Sequence, residues 1–112
     1  MTEASQIHQR LTKTFEEGRT LPLSYRRKQL LQLARLVQEN HEKIEQALKD
    51  DLGRHPLEAR LPEIGPIITG ALSAAEKLEE WNAPEKPEVE QWRSGWDTTI
   101  FKTPKGAVLL IR

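Results

Sequence analysis

The sequence predicts a mainly α-helical chain whose N-terminal helices form an antiparallel arrangement, followed by a C-terminal β-hairpin. Three observations carry this. Ser24 to Trp81 reads as three successive amphipathic stretches, with apolar residues at helical spacing: Leu30, Leu33, Ala34 and Val37; Ile44, Ala47 and Leu48; then Leu61, Ile64, Ile68, Ala71, Ala75 and Leu78. The connectors between them are an asparagine, a glycine and a His55-Pro56 break, too short for anything but reversal of direction. From Asp97 the helical period gives way to β-branched and apolar runs around Thr103-Pro104-Lys105-Gly106. The division that follows is a helical region over 1–82, a linker over 83–96 and a hairpin over 97–112.

Taken in order, Thr2 is placed to cap a first helix with the face Ile7, Leu11 and Phe15, and Gly18 stands where a left-handed C-terminal cap is wanted. Pro22 disfavours helix at Leu21, so Arg19 to Leu23 is an extended connector and Ser24 the cap of the second helix. Asn40 is the expected cap of the third, which Gly53 ends. Pro62 and Pro66 fall inside the last apolar stripe, so that helix should begin irregularly and become regular after Pro66. Gly65 and Gly70 within it suggest close approach of another backbone. The core expected from these stripes is Leu30, Leu33, Val37, Ile44, Leu48, Ile64, Ile68, Leu72 and Leu78.

Pro84 and Pro87 end the helices and open a polar linker to about Ser94. Thr98 to Phe101 then reads as one strand, the Pro104-Lys105-Gly106 segment as a turn, and Ala107 to Ile111 as a second strand. The unbroken apolar character of that second strand belongs to a strand covered on both faces.

The totals exclude several classes of function. The 112 residues make one domain at most. Seventeen basic and seventeen acidic side chains cancel, which removes the long-range field a nucleic-acid or membrane-surface protein uses. The absence of cysteine excludes disulfides, thiolate metal sites and a cysteine nucleophile within this chain. No signal pattern and no apolar run of transmembrane length are present, so a cytoplasmic location without membrane insertion is expected.

Candidate sites mostly have plain explanations. His8, His41 and His55 are never three or four residues apart, which argues against a metal site. Asp50, Asp51, Glu58 and Glu63 share no metal-binding motif. The basic run Arg26-Arg27-Lys28, with Arg19 and Arg35, is offset by Glu39, Glu42 and Glu45. Trp81 ends the helix stripe as a packing anchor, whereas Trp92 and Trp96 lie in and after a polar linker and are candidates for an aromatic surface.

Three blocks together resemble the N-terminus of class 3, or fatty, aldehyde dehydrogenases: Gly18 to Arg26 with the helix that follows, Ala47 to Gly53, and Thr103 to Ile111. Glu63 to Ile67 is also similar to that family. The resemblance implies helices packed outside a nucleotide-binding domain, a strand before the turn in an oligomerisation arm, and a strand after it in a Rossmann-type sheet. It implies NAD(P) as the cofactor of the whole enzyme. The family's next residues, a Gly-Pro-Trp-Asn-Tyr-Pro-like stretch, are replaced by the end at Arg112, so no catalytic or cofactor-binding residue of the family maps onto this chain. The expectation is an N-terminal fragment, truncated before the cofactor loop, that binds no cofactor and is inactive alone. The alternative is a stand-alone self-associating interaction protein. In either case Ile100, Phe101, Val108, Leu109, Leu110 and Ile111 are the expected interface of a homodimer or higher oligomer formed through the hairpin.

Overall fold

The computed structural model describes residues 2–111. Two compact units are present: one is Leu23–Leu78, and the other combines the residues up to Pro22 with those from Glu79 onward.

In the second of these, helix α1 runs over Glu3–Glu16. Thr2 caps it, its Oγ1 accepting from the Ser5 amide at 3.3 Å, and Glu3 in the first turn complements the helix dipole. Gly18, at φ 71°, supplies the left-handed residue that turns the chain after the helix.

The unit Leu23–Leu78 holds α2 (Leu23–Glu39), α3 (His41–Leu52), the single turn α4 (Pro56–Ala59) and most of α5 (Gly65–Asn82). Helix α2 begins at Leu23, so Ser24 lies inside its first turn and is not the cap. Asn40 is the one residue between α2 and α3, yet its side chain caps nothing in α3; its Nδ2 instead donates back to the Leu36 carbonyl at 2.8 Å. Gly53, at φ 65°, closes α3, its amide donating to the Lys49 carbonyl at 2.8 Å. His55 then caps α4 through Nδ1, which accepts from the Leu57 amide, while Glu58 returns a carboxylate to the His55 amide. Helices α2 and α5 run in opposite directions. Arg27 Nε near the start of α2 donates to the Ala75 carbonyl at 3.1 Å, while Leu72, a turn earlier in α5, lines a groove with Leu31 and Arg35 further along α2.

The core of this unit is made chiefly of small residues. Ala34, Val37, Ala59, Ile64, Ala71 and Ala75 are buried, and alanine lets helix backbones approach closely where leucine would hold them apart. Leu30, Ile44, Leu48, Ile68 and Leu78 are half-buried. Leu33 and Leu72, expected inside, are exposed, because the alanines beside them on the same helices take the contact line.

Between α4 and α5 the residues Arg60–Ile64 form a π-helical turn, in which the Gly65 amide reaches back five residues to the Arg60 carbonyl. The two prolines account for it. Neither Pro62 nor Pro66 has an amide to donate, and in a continuous α-helix the Pro66 ring would press on the Pro62 carbonyl four residues earlier. A Cβ on Gly65 would sit 3.1 Å from the Arg60 carbonyl oxygen, so glycine suits this closure. Gly70, by contrast, meets no atom within 4 Å, and the close backbone approach expected there is absent. The extra residue shifts the stripe: Leu61 points outward at 68% exposure and Ala59 takes the inward position at 0%.

The C-terminal β-hairpin expected over 97–112 is not formed. Among the described residues there is no strand; one isolated antiparallel bridge joins Glu85 and Ile100, which exchange bonds of 3.1 and 2.8 Å. A hairpin needs the two runs to supply each other's amides and carbonyls. Here Ile100 is already committed to Glu85, and 103–111 shows neither a turn nor a ladder partner, although Gly106 has the positive φ of 127° that a reversal would use. Arg112 lies outside the described residues.

Candidate functional site

The interface and aromatic residues expected from the sequence fall in the unit that contains Glu79 onward. Trp92 lies in a short 3-10 turn, Gln91–Arg93, and Trp96 follows four residues later, a spacing that returns it to the same side. Their ring centroids are 5.5 Å apart and nearly perpendicular, at 81°. Arg93 is held between them, its guanidinium carbon 4.3 Å from the Trp92 centroid and 5.8 Å from that of Trp96. Glu90 holds the same guanidinium at 3.3 Å. The cluster leaves both indoles more than half exposed. Arg93, between them in sequence, was not singled out, although a cation one and three residues from two tryptophans is a readable signal.

Around the bridge, Lys102 ties the chain together by donating to the Trp81 carbonyl at 2.8 Å and pairing with Glu85 at 2.5 Å. Lys86 pairs with Asp97 and also donates to Thr99 Oγ1. These ion pairs are exposed and contribute little stability individually. Phe101, Val108, Leu109, Leu110 and Ile111 are exposed, the last four by more than four-fifths, and Ile100 is half exposed. Val108 and Leu109 border an open groove of about 650 Å³ that they share with Ile7, His8 and Leu11 of α1.

No group of three or more His, Cys, Asp or Glu is gathered for a metal among the described residues. His41 Nδ1 lies 2.9 Å from the Gln38 carbonyl, and His55 is the cap of α4. Nor do these residues fit a dinucleotide. A pyrophosphate is held where a strand passes through a glycine-rich turn into a helix N-terminus. Here α1, α3 and α4 each carry a glutamate in the first turn, Glu3, Glu42 and Glu58, and among the described residues no strand precedes any helix, α2 and α5 included.

The perturbed titrating pair is in the other unit. Arg60 grips Glu45 with two bonds, of 2.6 and 3.0 Å. The Arg60 hydrogen bond holds the Glu45 carboxyl below its ordinary range; desolvation opposes this, and the charges of Arg60 and His41 add to it. A depressed folded value means stabilisation that is present above the unfolded carboxylate value, about 4.3, and is lost as pH falls through the folded value. Between about pH 6 and pH 3 the natural chain should therefore lose more of its urea midpoint than Glu45→Gln, which has nothing there to protonate. Parallel losses in the two proteins would show that the pair adds nothing to folding.

With this geometry in view, the sequence comparisons agree on a family. The aldehyde dehydrogenase family model matches residues 2–112, and the chain belongs to that family. Curated proteins similar to it include family 3 members. Aldehyde dehydrogenase family 3 member H1 of Arabidopsis thaliana is 34% identical over 110 residues, covering 97% of this chain and 22% of the relative. Member I1, chloroplastic, of the same plant is 33% identical over 97% of this chain and 20% of the relative. The dimeric NADP-preferring aldehyde dehydrogenase of Canis lupus familiaris is 31% identical over 99% of this chain and 24% of the relative. The chain thus spans a fifth to a quarter of the length of these relatives. No solved structure matches it. No helix is long and apolar enough to cross a membrane among the described residues.

Proposed function

We propose that this polypeptide is a scaffold segment of an NAD(P)-dependent aldehyde dehydrogenase, a fragment that performs no oxidation by itself. The observation that carries this is the pairing of a family match over residues 2–112 with a chain that has no cysteine. Aldehyde oxidation in the family transfers hydride to NAD(P)⁺ from a hemithioacetal, and that adduct requires a thiolate. In this reading residues 1–82 supply helices to the outside of the enzyme, 83–96 link them to the apolar tail, and the working protein is cytoplasmic.

The exposed apolar tail favours a second reading that is compatible with the first: the chain self-associates. Ile100, Phe101, Val108, Leu109, Leu110 and Ile111 form the interface, with Trp92 and Trp96 as an aromatic surface beside it. Four aliphatic side chains exposed on an extended segment are an association hazard, and a formal net charge of zero provides no repulsion against it. A relative is named as dimeric. Light scattering over a dilution series should find the intact chain as a dimer or larger, and Leu109→Lys displaced toward monomer. An intact chain that is monomeric throughout, or a variant with an unchanged assembly, would remove this interface.

A further inference from the structure

We propose that the π-helical turn Arg60–Ile64 is a register selector: it holds the chain in one of two helical registers, and the register held turns Leu57 and Leu61 away from the helix interface. The arithmetic of the burial pattern points to this. Ala59 and Ile64 are both buried although five residues apart. At about 100° per residue an α-helix would put them roughly 140° apart, on different faces. One extra residue in the turn brings them onto one face. In the continuous α register, the positions aligned with Ile64, Ala71 and Ala75 would be Leu57 and Leu61, seven and three residues before Ile64. Those are the apolar residues now turned outward, at 57% and 68% exposure, where they border an open groove with Arg54, Glu58 and Pro62. The apolar pattern of the sequence therefore favours one register and the prolines enforce the other.

Three features hold the observed register. Pro66 excludes the α register sterically, because its ring would press on the Pro62 carbonyl four residues earlier. Gly65 permits the Arg60 carbonyl to close on its amide where a side chain would crowd it. Two ion pairs span the turn: Arg60 at its start is fastened to Glu45 of α3, and Glu63 near its end accepts from Arg54 Nη1 at 2.9 Å. A one-residue change of register rotates the start of the turn against its end by about 100°, so the two pairs as observed cannot both survive it. They act with the prolines as a lock.

The test exploits the absence of native thiols. Leu61→Cys places a single reactive group in the full chain, in either the natural background or one carrying Pro62→Ala, Gly65→Ala and Pro66→Ala. In the natural background the thiol should react with a maleimide probe within a few-fold of a free thiol. In the relieved background it should slow by about tenfold or more as the position moves into the interface. An equal rate in both backgrounds overturns the proposal. So does failure of the relieved chain to fold by circular dichroism, because relief restores two amide donors and removes a clash. In the natural chain, NMR coupling across the hydrogen bond should link the Gly65 amide to the Arg60 carbonyl; coupling to Leu61 in its place overturns the observed register itself.

Discussion

Ile64→Ala should destabilise the helical unit by about 2–5 kcal/mol, the range for truncating a buried branched side chain in a core that cannot fully collapse around the gap. The magnitude rests on how little else is buried. Ile64 and Val37 are the only large aliphatic side chains below a tenth exposure among the described residues; the remaining buried positions are alanines. Ile64 is also the last residue of the π turn, directly before α5 begins at Gly65, so its loss hollows the junction between the two. Against a typical small-domain stability of about 5–15 kcal/mol, such a loss takes away a large share. Leu61→Ala, also a truncation of a branched aliphatic side chain but at a position turned to solvent, should change the urea midpoint little, as should Glu76→Ala on the exposed face of α5. Equal losses from Ile64→Ala and Leu61→Ala would mean that the outward register of Leu61 does not exist in solution.

The helices were legible because their signals are local. Thr2 before an acidic first turn, Gly18 and Gly53 after the last apolar residue, and stripes at three- and four-residue spacing each report on a few neighbouring residues, and the structure has helices in those places. The inward face of the last helix was misread before Ile64, because a 3-4-3-4-3 rhythm assumes an unbroken α register. Pro62 and Pro66 insert a residue, and every position upstream turns with it. The leucines were overrated for a similar reason. Apolar periodicity finds a face but not the line of closest contact, which Ala34, Ala71 and Ala75 occupy while Leu33 and Leu72 flank it in solvent.

The hairpin failed on a different physical ground. A helix satisfies its own backbone, whereas a strand is defined by a neighbour, and sequence character at Ala107 to Ile111 cannot supply one. Thr98 to Phe101 was expected to be that neighbour, but Ile100 pairs with Glu85 from the linker. Trp92 and Trp96 stand out in the sequence as indoles in and after a polar linker; that their rings meet, that Arg93 lies between them and that Glu90 holds it there required the structure.

The largest expected effect concerns chemistry. Enzymes accelerate their reactions by about a million-fold or more, and this chain should supply none of that factor for aldehyde oxidation. Covalent catalysis here needs a thiolate to form the hemithioacetal, and there is no cysteine to provide one. The hydroxyls of Ser94 and Thr69 do not substitute. Ser94 Oγ donates to the Gln91 carbonyl and Thr69 Oγ1 to the Gly65 carbonyl, and neither has a histidine or other base at hydrogen-bond distance to activate it. Stabilisation of an oxyanion would not rescue the reaction either, because a donor acts only once the tetrahedral adduct exists.

The account of this chain as a family scaffold without the family's chemistry is tested most directly by incubating the purified 112-residue protein with NAD⁺ or NADP⁺ and a series of short- and long-chain aldehydes, following cofactor reduction by absorbance. The account predicts a rate equal to that of buffer for every pair. Aldehyde-dependent reduction that rises in proportion to the concentration of this protein would contradict it.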